Sequence, residues 1–339
     1  MFTKKIGIDL GTANSLVYLA EKGVVLNEPS VVAVSIEDNR VVAVGSEAKD
    51  MLGRTPGNIV ASRPMKDGVI ADYQITESML KYFINKVCGR TRIFKPEVMV
   101  CVPSGCTQVE RRAVVDATLA AGARAVYLID EPLAAAIGAQ IPIANPSGNL
   151  IVDSGGGSTE AAVISMGGVV AHASVRMSGN KLDEAIATYI RKKYNLIIGE
   201  RTAEEVKITV GNALPEEKKG EPKKMEVRGR DAFTGLPRVI EISEIEINKA
   251  IAPNLLLMIG AIKAVLEKTP PELAADIVDK GIVLSGGSML LKNFDKLVTR
   301  EVGVSAVVAE EPMLCVVRGT GVALENLELY KKSVNRKGI

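Results

Sequence analysis

Two stretches of the chain carry an acid where an apolar run meets small residues, KKIGIDLGTANSLVYL at 4–19 and NLIVDSGGGSTEAAVIS at 149–165. Each runs apolar to an aspartate, skips one residue to a glycine, crosses a polar small-residue turn and runs apolar again, so that Asp9 matches Asp153 and Gly11 matches Gly155. A carboxylate in an apolar run is costly unless something pairs with it. A phosphorylated ligand gripped from both sides would meet that need. Backbone amides of Gly11, Thr12, Ala13 and Asn14, and of Gly155, Gly156, Gly157, Ser158 and Thr159, would face its phosphate oxygens. Asp9 and Asp153 would face a Mg²⁺ ion through its retained waters. The competing reading is that both aspartates merely cap tight turns through local hydrogen bonds, and the repetition of the pattern weighs against it.

A third glycine turn, KGIVLSGGSMLL at 280–291, leaves a buried strand through Gly286 and Gly287, where backbone N–H groups would face a ligand. Neither hairpin is the familiar phosphate loop, because no Gly-Lys-Ser/Thr follows and the next segment reads as a strand. In LIDEPLAAAIGA, Glu131 ends a strand just before Pro132, the place where open α/β sheets hold ligands. It either orients a water that attacks a terminal phosphate or simply begins a solvated helix. Glu204 and Lys207 stand three apart and share a helix face, where they reach ribose hydroxyls or pair with each other. His172, the single histidine, reads as structural or superficial. Ile93 and Phe94 sit among Arg90, Arg92 and Lys95 ahead of a strand, a pattern that suits either insertion into an anionic membrane surface or a buried loop anchor.

The elements that must hold these residues are strands alternating with helices. Ser/Thr followed three residues later by Glu marks helix starts at Thr107, Thr202 and Ser243. Strands at 97–102 and 125–129 flank the first of these, which implies parallel βαβ units, and the repeated hairpin implies two related halves. Gly23–Val44 reads as a small β insertion, and the mixed-charge run 215–230 as a solvated loop. At 339 residues, with 47% hydrophobic and 24% charged residues, the chain has room for two ordinary globular domains. A net charge of +2 offers no whole-chain electrostatic case for nucleic acid. Four cysteines without CxxC spacing and one histidine argue against a zinc site or a disulfide framework, and read as reduced thiols of a cytosolic protein. The N-terminus shows no secretory pattern, and the longest uncharged stretch, Leu133–Val152, is broken by prolines and asparagines and reads as no membrane span.

Taken together, GIDLGTAN (7–14), NEPSVVAV (27–34), GRTPGNIVASRPMKDGVIADY (53–73), VPSG (102–105), EPLAAAIGA (131–139), IGERTAE (198–204), GLPR (235–238) and EKTPPELAADI (267–277) make the chain resemble the MreB/Mbl family of bacterial actin homologues, within the actin-like ATPase superfamily. The resemblance runs essentially from end to end. It implies an α/β, actin-like fold of two related domains, each with a mixed or parallel sheet flanked by helices, a nucleotide cleft between them, and small insertion subdomains. The implied subdomains are 1–31 with 66–144 and 314–339 (IA), 32–65 (IB), 145–179 with 244–313 (IIA), and 180–243 (IIB).

It further implies ATP or ADP with Mg²⁺, and a slow ATPase coupled to polymerisation. Gly11–Asn14 and Gly155–Thr159 become the phosphate loops; Gly286, Gly287 and Ser288 the adenosine turn; Glu204 and Lys207 the ribose contacts. Glu131 and Ser158 place the attacking water beside Asp9 and Asp153, and Ile93 and Phe94 form a membrane-insertion loop. The implied partners are further copies of the chain in paired protofilaments, the inner face of the cytoplasmic membrane and the membrane proteins of cell-wall elongation, with no nucleic acid. The implied role is to guide wall synthesis and rod shape. The chain departs from the usual Asp-Ile-Gly-Gly-Gly-Thr-Thr at Ser154 and Ser158, and from a third adenosine-turn glycine at Ser288. A nucleotide-binding filament with impaired hydrolysis, or a small-molecule kinase or phosphatase of the same superfamily, would share these motifs.

Overall fold

A computed structural model describes residues 3–90, 94–215, 221–330 and 334–337. Three antiparallel strands open the chain, β1 (Lys5–Leu10), β2 (Asn14–Leu19) and β3 (Gly23–Pro29), followed by β4 (Val32–Ser35), β5 (Val41–Val44), α1 (Ser46–Met51) and β6 (Ile59–Ser62). The short ladder of β7 (Met65–Lys66) and β8 (Val69–Ile70) precedes α2 (Tyr73–Cys88), β9 (Glu97–Val102), α3 (Gln108–Ala120), β10 (Ala125–Asp130) and α4 (Glu131–Gly138). The second half opens with the same meander, β11 (Asn149–Ser154), β12 (Thr159–Ser165) and β13 (Gly168–Val175). It continues through α5 (Gly179–Tyr194), β14 (Leu196–Ile197), α6 (Glu200–Val210), β15 (Lys224–Asp231), β16 (Pro237–Ser243), α7 (Glu244–Leu266), α8 (Pro271–Lys280), β17 (Ile282–Ser285), α9 (Phe294–Val302) and β18 (Ala306–Val308). Last come α10 (Cys315–Glu325) and β19 (Asn335–Lys337), which return to the first half.

The two large sheets repeat one topology. In order, β3-β2-β1-β9-β10 of the first corresponds to β13-β12-β11-β17-β18 of the second, with β19 added at the first sheet's edge. Each is an antiparallel meander joined to two parallel strands. The parallel strands are almost wholly buried (Val98, Met99, Val100; Leu150, Ile151, Val152), as expected where helices cover both faces. One side of the first sheet packs on α2 and α3 around Phe83 and Leu80. The other side packs on α4 and α10 around Leu133, Ala134 and Ala323, a cluster that also takes in Ile151, Ala162 and Ile164 of the second sheet. The helix α4 therefore lies between the sheets. Two smaller sheets, β5-β4-β6 and β14-β15-β16, stand beside the halves.

Local signals account for several helix starts. The capping boxes Thr107/Glu110 and Ser243/Glu246 are formed at α3 and α7, and Asp72 caps α2 by accepting from the Ile75 amide at 3.0 Å. Thr202 is different. It lies inside α6, whose N-cap is Gly199, because the buried stripe Ala203, Val206, Val210 carries the helix back by a turn. Gly23–Val44 is not one insertion, since β3 pairs with β2 in the large sheet and only β4 and β5 join the small one. The run 215–230 is not all loop either: from Lys224 it forms β15, whose Val227 is buried while its neighbours Glu226 and Arg228 face outward, so alternation and not charge decides the state. By length and composition α7 could cross a membrane, but it carries Pro253 and its Ile247, Ile251, Leu255 and Ile262 belong to the second-half core.

The contact of α10 with α4 depends on backbone approach. A Cβ at Gly319 would collide with the carbonyl of Ala134, and one at Gly138 with the carbonyl of Cys315. Gly319→Ala is expected to lower unfolding stability by about 3 kcal/mol through overpacking, read as a lower urea midpoint with an unchanged slope.

Candidate functional site

The parallel topology carries three chain reversals to one end of the molecule. Asp9 is the penultimate residue of β1, Asp153 the penultimate residue of β11, and Glu131 the first residue after β10. All three line one cleft of about 250 Å³ between the halves. Glu160 stands directly across the hairpin from Asp153 and is buried, its Oε2 accepting from the Ser104 amide at 2.8 Å. A second pairing repeats between the halves: β1 runs parallel to β9 and β11 to β17, placing Cys101 beside Asp9 and Ser285 beside Asp153. The Cys101 thiol donates to Asp9 Oδ1 at 3.4 Å.

Among the described residues, no cationic side chain pairs with any of these four acids. Burial raises Asp9 to about 6 and Asp153 to about 7, the latter opposed by Ser285 and reinforced by the charges of Asp9 and Glu160. Glu131 is pushed well above the usual carboxylate range by burial and then by Glu160, Asp9, Asp153 and Asp130. Burial also raises Glu160. Asp153 Oδ1 is buried with no hydrogen-bond partner. A donor set of this kind, hard oxygens with an unpartnered atom and mutual repulsion, fits a divalent cation such as Mg²⁺.

Two glycine-bearing turns form the walls. Gly11, Thr12, Ala13 and Asn14 line the cleft on one side, and Gly155, Gly156, Gly157 and Ser158 on the other. The turns approach so closely that a Cβ at Gly157 would overlap Thr12 Oγ1 and come within 2.5 Å of the Gly68 amide. Buried hydroxyls brace the first turn: Ser30 Oγ donates to the Gly11 carbonyl at 2.6 Å and lies 2.8 Å from Ser15 Oγ, and Thr12 Oγ1 accepts from the Gly68 amide at 2.9 Å.

The remaining wall comes from α6 and the third turn. Glu204, Lys207, Gly286, Gly287 and Ser288 line the same cleft. Glu204 and Lys207 are not spent on each other. Glu204 Oε2 lies 3.0 Å from Lys49 Nζ, while Lys207 Nζ is 2.9 Å from Asp183 Oδ2 and 3.0 Å from the Gly179 carbonyl. Burial raises Asp183 to about 6 against the pull of Lys207. Ser288 Oγ donates to the Gly155 carbonyl at 2.6 Å, tying the third turn to the second glycine turn.

Nearly every residue singled out from sequence thus lines one cleft. Thr159 does not; its hydroxyl is 2.7 Å from Ser154 Oγ and donates to the Met177 carbonyl at 2.6 Å, so Ser154 and Thr159 brace the hairpin base. His172 is exposed on β13. Phe94 is exposed ahead of β9, and Ile93 lies outside the described residues. Sequence reasoning missed Glu160, Asp183 and Lys49. A glutamate followed at once by AAVI was the one available sign of the first; the other two are placed by tertiary contact.

The family described as MreB/Mbl protein matches residues 3–332. The cell shape-determining protein Mbl of Bacillus cereus is 51% identical over 336 residues, covering 99% of this chain and all of its own length (100%). The cell shape-determining protein MreB of Escherichia coli is 50% identical, covering 97% of this chain and 96% of its own. Among solved structures, MreB 5 of Spiroplasma citri bound to AMPPNP superposes with a TM-score of 0.91 at 36% identity, over 98% of this chain and 99% of that one.

The cleft floor has a consequence for stability. Acids whose pKa is raised on folding hold protons in the folded chain that the unfolded chain has lost, so stability falls as pH rises from about 4 to about 7. Asp153→Asn is expected to stabilise the ligand-free protein near pH 8 by about 2–4 kcal/mol, with the gain vanishing near pH 4, as read by urea unfolding at the two pH values.

Proposed function

The chain belongs to the MreB/Mbl family of actin-like, cell shape-determining proteins, and from that membership and the geometry of the cleft we propose that it binds ATP or ADP with Mg²⁺ between its halves and hydrolyses ATP slowly as it polymerises. The observation that carries this reading is the convergence of Asp9, Glu131 and Asp153 on one floor between two glycine turns, with Glu160 buried across the hairpin from Asp153. Asp9 and Asp153 would hold the Mg²⁺, through waters. The bound ion supplies positive charge that offsets the phosphate oxygens and the mutual repulsion of the acids.

The remaining roles belong to the same proposal. The amides of Gly11–Asn14 and Gly155–Ser158 cradle the phosphates, while Thr159 braces the second turn from behind. The adenosine lies against Gly286, Gly287 and Ser288, with Glu204 and Lys207 at the ribose. Glu131 orients the attacking water toward the terminal phosphate, and the Ser158 hydroxyl, on a largely buried residue facing the same cavity, helps to place it. Glu131 needs its charge for this, and a cation in the floor favours the ionised form that burial resists. Because Thr12 of the first half touches the second turn at Gly157, a ligand held between the turns would couple occupancy of the cleft to closure of the halves. The subdomain boundaries given above belong to the same reading.

Self-association in paired protofilaments and attachment to the inner face of the cytoplasmic membrane complete the proposal, with the membrane proteins of cell-wall elongation as partners. The exposed Phe94, together with Ile93, supports the membrane contact: apolar side chains enter the headgroup boundary while Arg90 and Lys95 meet anionic lipid.

Two measurements test this. Glu131→Ala is expected to lower phosphate release from Mg-ATP at least tenfold (about 10² is usual for a lost acid–base group) while nucleotide still binds; equal, negligible rates in both proteins would leave a filament that binds nucleotide without cleaving it. In sedimentation with anionic liposomes, the wild type should pellet only with Mg-ATP, and the Ile93→Ala, Phe94→Ala double variant should remain in the supernatant.

A further inference from the structure

The mouth of the cleft is bridged by charge. Three ion pairs join the 46–63 segment to α6: Lys49 Nζ to Glu204 Oε2 at 3.0 Å, Arg201 Nη1 to Asp50 Oδ1 at 3.0 Å, and Arg63 Nε to Glu200 Oε1 at 2.8 Å. On either side of them lie cavities of about 410 and 490 Å³. Both partners are anchored from behind. Ala48 is buried in the small cluster with Val31, Ala33 and Ala43, which fixes α1, and Ala203 and Val206 fix α6 on the second core. Long side chains therefore reach across a gap whose walls are held separately.

One of these pairs is unlike the other two, because Glu204 also lines the nucleotide cleft. Its carboxyl would be raised by burial, yet Lys49 first, then Lys207 and Arg63, hold it below the ordinary range, so it stands as an ionised acceptor. The neighbouring Lys207 cannot serve as that acceptor, since its ammonium only donates, here to Asp183 and the Gly179 carbonyl. Lys49 engages Oε2 and leaves Glu204 a second carboxylate oxygen with acceptor capacity.

Building on the nucleotide reading above, we propose that Lys49 is a positioning residue for ribose recognition, reaching from the small N-terminal sheet to hold Glu204 where a ribose hydroxyl meets it, so that the nucleoside site is complete only when the mouth is shut. Ribose binding and mouth closure then strengthen each other, as linkage requires. The base and phosphates make no such demand on Lys49.

The test is calorimetric binding of Mg-ATP and of its 2′-deoxy and 3′-deoxy analogues to the full-length protein. The wild type should prefer ATP over at least one analogue by about tenfold, the size expected for a hydrogen bond to a charged acceptor. Lys49→Met should cut that preference to about twofold by weakening ATP alone, and Lys49→Arg should restore most of it. Arg201→Gln, which removes a pair that does not touch Glu204, should leave the preference intact. An unchanged preference in Lys49→Met, an equal loss for all three nucleotides, or a wild type that binds all three alike would overturn the role of Lys49. A wild type that binds none of them would instead overturn the nucleotide reading itself.

Discussion

Three carboxylates on the floor of one cleft and a fourth buried directly behind them repel one another, and that repulsion is the constraint to which the surrounding structure answers. Asp9, Glu131, Asp153 and Glu160 come from different elements, so no local rearrangement can separate them without dismantling a sheet. Around them are donors that ease part of the strain: the Cys101 thiol, the Ser104 amide, and Arg111, which holds Asp130 at 2.6 Å. What these leave over is a buried negative field in which Asp153 Oδ1 and Glu160 Oε1 have no hydrogen-bond partner. Such a floor is unfavourable by itself and would be relieved by a cation with a polyanion above it, so that filling the cleft would be a structural event as much as a chemical one.

Much of this was legible in the chain because it is written locally. An aspartate at the end of an apolar run, followed by glycines and a second run, specifies a hairpin with an acid at its mouth, and it did so twice. The capping boxes at Thr107 and Ser243 were read correctly for the same reason, since cap and helix lie within four residues of each other. Where the deciding contact was distant, the reading failed. Thr202 carried a capping pattern, but the buried stripe of α6 drew the helix start back to Glu200. Lys224–Arg230 carried a loop composition, but pairing with β16 made a strand of it. Glu160 was hidden because a single acid in a strand has no spacing to reveal it, and Lys49 because its partner is 155 residues away. Propensity and pattern are weak priors wherever tertiary pairing competes with them.

The two halves touch in unlike ways at the two ends of the cleft. At its base they share one apolar cluster, in which Ile151, Ala162 and Ile164 of the second sheet meet Leu133 and Ala134 of α4 and Met99 of the first. At its mouth they meet through extended charged side chains. An apolar seam resists separation over its whole area, whereas ion pairs of partly exposed side chains contribute little and weaken with salt. The base is therefore the fixed point of any relative motion and the mouth its free end.

The return of α10 and β19 to the first sheet has a consequence in time. Every strand of the second sheet lies between Asn149 and Val308, so that half can pair its strands as soon as this stretch has left the ribosome. The first sheet cannot: one of its faces is covered only in part, by α4, until Cys315–Glu325 arrives, and its edge stays unpaired until Asn335–Lys337 does. The half made first is thus completed last, and its incompletely covered strands must be kept from other chains throughout synthesis, the interval in which exposed apolar surface and unpaired edges are most dangerous.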